Sequence, residues 1–177
     1  MRENSTQTKI KTFMGLLGKR ISQPITVYFT GGATAVLLGF RTSTIDVDLK
    51  FEPDLQEMYQ AIRHIKEEFN MNIELASPDH FVPPLPGWKE RNIFIEKTGQ
   101  VSFYHYDLYT QVLAKIERGW EVDLQDAKNF VRHSVEVDTL MKFFYQAQED
   151  FIRYPSIEPK KLEQKLVKFK NEIIERQ

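Results

Sequence analysis

The chain has 177 residues, with 24 Lys and Arg against 25 Asp and Glu, four His and no Cys. That length suits one domain, able to bury roughly 70% of its unfolded surface. A hydrophobic share of 41% and a charged share of 28% exclude a disordered or collagen-like chain. The lack of cysteine removes disulfides, thiolate metal sites and a cysteine nucleophile. No apolar run approaches the ~18–20 residues of a membrane span, and the start MRENSTQTKIKT has no apolar signal-peptide core. The expectation is a cytoplasmic, soluble, single-domain protein with no membrane partner.

Near-neutrality hides an uneven distribution. Residues 1–45 carry six basic side chains against one acid, and residues 159–177 carry six against three. The segment between them is therefore strongly acidic. An acidic centre suits a divalent cation, and basic ends suit phosphates, although solvated helix faces produce the same pattern.

In chain order, Ile10, Phe13, Met14, Leu16 and Leu17 predict a helix over 7–20. Ile25–Thr30 is β-branched and aromatic, and predicts a strand running into a tight turn at Gly31-Gly32. Ala33–Phe40 reads as a short buried helix. Thr44–Phe51 alternates, with Ile45, Val47 and Leu49 on one side and Thr44, Asp46, Asp48 and Lys50 on the other, as in a strand with one polar face. Asp54 and Glu57 have capping-box spacing ahead of a helix striped with Leu55, Met58, Tyr59, Ile62, Ile65 and Phe69. Asn72–Ala76 predicts a third strand. Residues 77–91 hold four of the eight prolines and predict an irregular loop. Asn92–Lys97 and Val101–Tyr106 predict a hairpin around Thr98-Gly99-Gln100. Helices are expected over 107–118, 123–132, 136–152 and 159–175, with stops at Gly119 and Tyr154-Pro155.

The chemistry concentrates in Tyr28-Phe29-Thr30-Gly31-Gly32 and, after thirteen intervening residues, Asp46-Val47-Asp48-Leu49. The strand period of two places both carboxylates on one face, where like charges need a cation or a basic group beside them. Oxygen ligands at this spacing suit Mg²⁺, which completes its shell with water and phosphate. The two glycines admit close approach of a phosphate to backbone N–H groups, with the following helix behind them. Thr30, Thr34, Thr42, Ser43 and Thr44 add hydroxyls, and Arg41 adds a fixed positive charge. His64, His80 and His133 have no ligand spacing, so zinc is not expected. His105 reads as a structural hairpin residue.

These motifs resemble the signature of the polymerase-β type nucleotidyltransferase superfamily. More narrowly, Gly31-Gly32-Ala33, Arg41, Thr44 and Asp46-Val47-Asp48 resemble the bacterial toxin-like branch that includes the AbiEii and MenT toxins. Leu113-Ala114-Lys115-Ile116-Glu117-Arg118 followed by Asp123-Leu124-Gln125-Asp126 is similar to that branch's second block. Asn72-Ile73-Glu74-Leu75-Ala76-Ser77-Pro78 and Pro84-Leu85-Pro86-Gly87-Trp88 resemble an uncharacterised bacterial subgroup. The resemblance implies an α+β nucleotidyltransferase fold spanning 1–177 as one domain. Its mixed sheet of about five strands would lie in a β-rich half at 21–106, followed by a helical half at 107–177.

It further implies transfer of a nucleoside monophosphate from a nucleoside triphosphate to a hydroxyl, dependent on Mg²⁺ or Mn²⁺. Asp46 and Asp48 would hold the metal, Gly31, Gly32 and Thr44 would cradle phosphates, and Lys115 would neutralise phosphate charge. Asp126 would act as a base or orient Lys115. The superfamily's third acid would be Glu74 or Asp126. Arg118 could bind phosphate or pair with Asp123. RNA such as tRNA, or a protein side chain, would be the acceptor, and a toxin or antitoxin would be the partner. The competing expectation is a silent fold that binds a nucleotide or a partner without turnover.

Overall fold

The structure is a computed structural model that describes residues 3–175. Its residues group into two units, Met1–Ser77 with Asn92–Tyr106, and Pro78–Arg91 with Asp107–Gln177.

The first unit is built on a mixed five-stranded sheet. A short strand β1 (Ser5–Thr6) leads into helix α1 (Gln7–Arg20), capped by the Thr6 side chain, which accepts from Lys9 N. Strand β2 (Ile25–Phe29) runs directly into helix α2 (Gly31–Leu37). Strands β3 (Ser43–Thr44) and β4 (Asp46–Glu52) follow, then α3 (Gln56–Glu68), β5 (Asn72–Leu75), β6 (Ile93–Thr98) and β7 (Val101–His105). The sheet order is β5-β4-β2-β7-β6, and β1 pairs separately with β3. β4 is antiparallel to β2 and parallel to β5, while β2 is parallel to β7 and β6 antiparallel to β7.

Alternation along the strands separates the two sheet faces. Val27, Phe29, Val47, Leu49, Ile73, Val101 and Phe103 share a buried cluster with Phe13, Met14 and Leu17 of α1 and Met58, Ile62 and Ile65 of α3. Burial of such side chains stabilises by ~1.5–3 kcal/mol each, and it fixes the register because a slip of one residue would invert the faces. The opposite face therefore carries Asp46, Asp48 and Lys50 of β4 beside Asn72 and Glu74 of β5.

Three local expectations are corrected. Helix α2 begins at Gly31, two residues before Ala33, because Gly31 takes φ +56° and opens the helix without a separate turn. The strand expected over Thr44–Phe51 is broken at Ile45, which is 65% exposed, while Thr44 is buried. Pairing of Ser5 with Thr44 pulls residues 43–44 into the small β1–β3 sheet and resets the alternation. Glu57 does not close a capping box, since the α3 N-cap is Leu55. Its carboxylate instead accepts from Ser22 N, Ser22 Oγ and Gln23 N.

The second unit packs helices α4 (Leu108–Arg118), α5 (Glu121–His133), α6 (Val137–Gln146) and α7 (Pro159–Ile174). Its core includes Leu113, Ile116, Phe130, Leu140, Phe144 and Leu166. The proline-rich segment joins this unit and contains a 3₁₀ turn at Pro78–His80. Arg91 anchors it, with Nε and Nη2 forked onto Asp107 at 2.9 and 2.8 Å and the guanidinium 4.2 Å from the Phe143 ring centre. The helix expected over 136–152 ends at Gln146 and continues as a 3₁₀ segment over Gln148–Arg153. The Gln148 side chain donates to Phe144 O, taking a carbonyl that a continuing α-helix would use for a backbone N–H. Among the described residues, no helix is long and apolar enough to cross a membrane.

Candidate functional site

The first unit gathers the glycine pair, Arg41, Thr44 and the two aspartates. Strand β2 delivers Gly31 beside β4 through the bond from Thr30 N to Asp48 O, at 3.1 Å. The Thr30 hydroxyl crosses to Ala76 O at 3.0 Å, tying the end of β2 to the end of β5. A Cβ placed on Gly31 would stand 2.7 Å from Asp48 Oδ2. One on Gly32 would collide with the Thr44 hydroxyl and stand 2.9 Å from Thr44 Cβ and 3.1 Å from Arg41 Nη1. The cradle therefore exists because both residues lack a side chain. Thr44 is itself fixed, its Oγ1 donating to Asp46 O at 3.0 Å. Helix α2 has only seven residues, so the case for anion binding rests on this open backbone and Arg41.

Asp46 and Asp48 lie on one face of β4, and the parallel register sets Asn72 opposite Asp46 and Glu74 opposite Asp48. The Asn72 amide nitrogen donates to Asp46 Oδ1 and, at 3.1 Å, to Glu74 Oε1. Hard carboxylate oxygens on one face, next to a backbone open to phosphate, match the needs of Mg²⁺. No group of three or more His, Asp or Glu side chains among the described residues is arranged to hold an ion.

Thr34 lies behind the glycines. It is buried, and its hydroxyl donates to Phe29 O at 3.0 Å, which locks α2 onto β2. His105 Nδ1 is 3.4 Å from the same hydroxyl. Burial lowers the His105 pKa to about 4, so the ring is neutral at pH 7. This supports the structural reading of His105. On the sheet face beside Lys50, Tyr28 has its pKa raised by burial and then by Glu52 and Tyr104, and it stays a phenol.

The second unit gathers the remaining expected residues. Asp107 caps α4, accepting from Tyr109 N and Thr110 N, and Gly119 closes the helix at φ +71°. One turn before that end, Lys115 is 4% exposed, with its ammonium 2.9 Å from Asp126 Oδ2 and 3.3 Å from Asp123 Oδ1. Arg118 Nη2 meets Asp123 Oδ1 at 2.5 Å. Lys115 is thus buried between two acids, and Arg118, expected either to bind phosphate or to pair with Asp123, makes that pair. Asp126 is the closer of the two acids to the Lys115 ammonium.

Two contacts escaped the sequence. Asn72 gave no signal by its type, and only strand order brings it to Asp46. Asp123 was visible in the second block and as a partner for Arg118, but its approach to Lys115 was not, since it needs the packing of α5 on α4.

Residues 8–176 match the model of a protein family described as "Nucleotidyltransferase of unknown function (DUF6036)". Among solved structures, the chain is similar to an antigenic nucleotidyltransferase-like protein from Paracoccidioides brasiliensis. That likeness has 15% identity and a TM-score of 0.46, over 85% of this chain and 94% of that one. No curated protein matches the chain.

Proposed function

The chain belongs to this nucleotidyltransferase family, and from that premise we propose that it transfers a nucleoside monophosphate from a nucleoside triphosphate to a hydroxyl acceptor. The observation that carries the reading is the placement of Asp46 and Asp48 on one sheet face, with Asp48 against the Cβ-less Gly31. Mg²⁺ or Mn²⁺ would supply charge neutralisation at the triphosphate. Asp46 and Asp48 would hold it. Gly31 and Gly32 would let phosphate oxygens approach the backbone, while Arg41 would add a fixed positive charge and Thr44 would hold the cradle's shape.

The acceptor oxygen bonds to the α-phosphorus as the bond from that phosphorus to its bridging oxygen breaks. Pyrophosphate leaves with the electron pair, and the hydroxyl proton passes to a carboxylate of the acid face. Glu74, in register with Asp48, is the nearest third acid that the sheet offers to this face. In the second unit, Lys115 is the expected phosphate-binding cation, and Asp123 and Asp126 compete with a phosphate for it.

The finer reading is a member of the AbiEii- and MenT-like branch with an RNA acceptor such as tRNA, working in the cytoplasm as part of a toxin–antitoxin pair. The basic segments at both ends favour a polyanionic acceptor. A second reading, a silent fold that binds a nucleotide or partner, draws on the pairing of the Lys115 ammonium with Asp123 and Asp126, which already engages the expected phosphate-binding cation.

The test is label transfer from each α-labelled nucleoside triphosphate, with Mg²⁺, to total tRNA or total cell protein. Asp46→Ala/Asp48→Ala serves as the blank. Label lost in the blank supports turnover and names the acceptor class. Saturable nucleotide binding with no label above the blank favours the silent fold.

A further inference from the structure

The acid face of the first unit contains one uncharged member. Parallel pairing of β4 with β5 sets Asp46 opposite Asn72 and Asp48 opposite Glu74, across strands about 4.8 Å apart with ~7 Å between same-face positions on one strand. Three carboxylates and one amide thus share one small patch. Carboxylates of like charge at such spacing repel, and each is free to rotate unless a donor fixes it. Asn72 provides the donors. Its nitrogen carries two hydrogens, and the bonds to Asp46 Oδ1 and Glu74 Oε1 take one each. Ionised carboxylates only accept, so the amide can face them with its nitrogen and not with its oxygen. The bond to Glu74 therefore fixes the amide, and the amide in turn fixes Asp46 through Oδ1 alone.

We propose that Asn72 is a positioning residue that orients Asp46 for a divalent cation shared with Asp48. This rests on the nucleotidyltransferase reading of the acid pair. Asn72 acts through Asp46 and need not touch substrate. Glu74 serves as the second acceptor that keeps the amide from turning. Partners of metal ligands at this remove change affinity by about 10–100-fold when lost.

The experiment is a calorimetric titration of the full chain with Mn²⁺ alone, together with thermal unfolding in the absence of metal. Wild type, Asn72→Ala, Asn72→Ser, Glu74→Gln and Asp46→Ala/Asp48→Ala are compared. Asn72→Ala is expected to raise the Mn²⁺ Kd at least about tenfold, with a metal-free Tm near that of the wild type. Asn72→Ser keeps one donor and is expected to fall between the two, which guards against a folding defect in the alanine variant. Glu74→Gln is expected to weaken Mn²⁺ binding less than Asn72→Ala, because Asp46 keeps its donor. The proposal is overturned if Asn72→Ala binds Mn²⁺ as tightly as the wild type while the double aspartate variant does not bind. That result would leave the acid-pair reading intact. Mn²⁺ binding that is equal in the wild type and the double aspartate variant would instead overturn the acid-pair reading, and this inference with it.

Discussion

Adding one methyl group at Gly32 is expected to damage the cradle beyond its effect on helix formation. A Cβ there would stand 2.9 Å from Thr44 Cβ and 3.1 Å from Arg41 Nη1, and would collide with the Thr44 hydroxyl. Arg41 can swing aside, but Thr44 cannot. It is β-branched and stiff about χ1, its hydroxyl is bonded to Asp46 O, and its backbone pairs with Ser5. The displacement must pass into the start of β4, where Asp46 sits. Overpacking of this kind costs about 1–3 kcal/mol, and replacing a helical glycine returns ~0.5–1 kcal/mol. The net loss for Gly32→Ala is therefore about 0–2.5 kcal/mol, a fall in Tm of up to roughly 10 °C for a chain of this length. Gly15→Ala is the internal control. It lies inside α1 with nothing within 4 Å of a built Cβ, so it should gain ~1 kcal/mol. Thermal unfolding of the three proteins, followed by label transfer at 25 °C where all are folded, is the assay. Gly32→Ala should lose transfer although it remains folded, while Gly15→Ala keeps it. A Gly32→Ala protein as stable as Gly15→Ala and fully active would refute the tight cradle.

Two further outcomes follow from buried charge. Burial holds the folded His105 pKa at about 4, below its unfolded value, so the unfolded chain takes up the proton first as pH falls. His105 therefore lowers stability progressively from about pH 6.5 down to about pH 4, by ~3 kcal/mol at the acid end. His105→Asn should flatten Tm over that window, and an unchanged slope would contradict the assignment. Removing the Lys115 ammonium leaves the carboxylates of Asp123 and Asp126 buried without it. Lys115→Met should cost about 3–5 kcal/mol in urea unfolding, with partial recovery in Lys115→Met/Asp126→Asn. Equal midpoints for Lys115→Met and wild type would show that the ion cluster does not support the fold.

The parts of this molecule that could be read from its sequence are those governed by local periodicity. The apolar spacing from Ile10 to Leu17 marks α1, alternation around Val47 and Leu49 puts the acid pair on one face, and Gly99 marks the hairpin turn. Other features are decided by distant residues. Ile45 is turned outward by pairing of residues 43–44 with β1, some forty residues away. Glu57 serves Ser22 and Gln23 across a tertiary contact, although its spacing fits a cap. The proline-rich segment groups with the helices through Arg91 and Asp107 and not with the strands that flank it in sequence. Within the candidate site, the acids and glycines stood out by type and spacing. Asn72 did not, because an asparagine on a strand has no meaning until its neighbour is known.

The central claim is nucleotidyl transfer at the Asp46–Asp48 face, and the most direct measurement compares α-labelled with γ-labelled triphosphate in one reaction with Mg²⁺ and the identified acceptor. The account predicts α-label on the acceptor, γ-label in released pyrophosphate, and neither outcome with Asp46→Ala/Asp48→Ala. Label from the γ position on the acceptor, or α-label transfer that survives the double substitution, would contradict it.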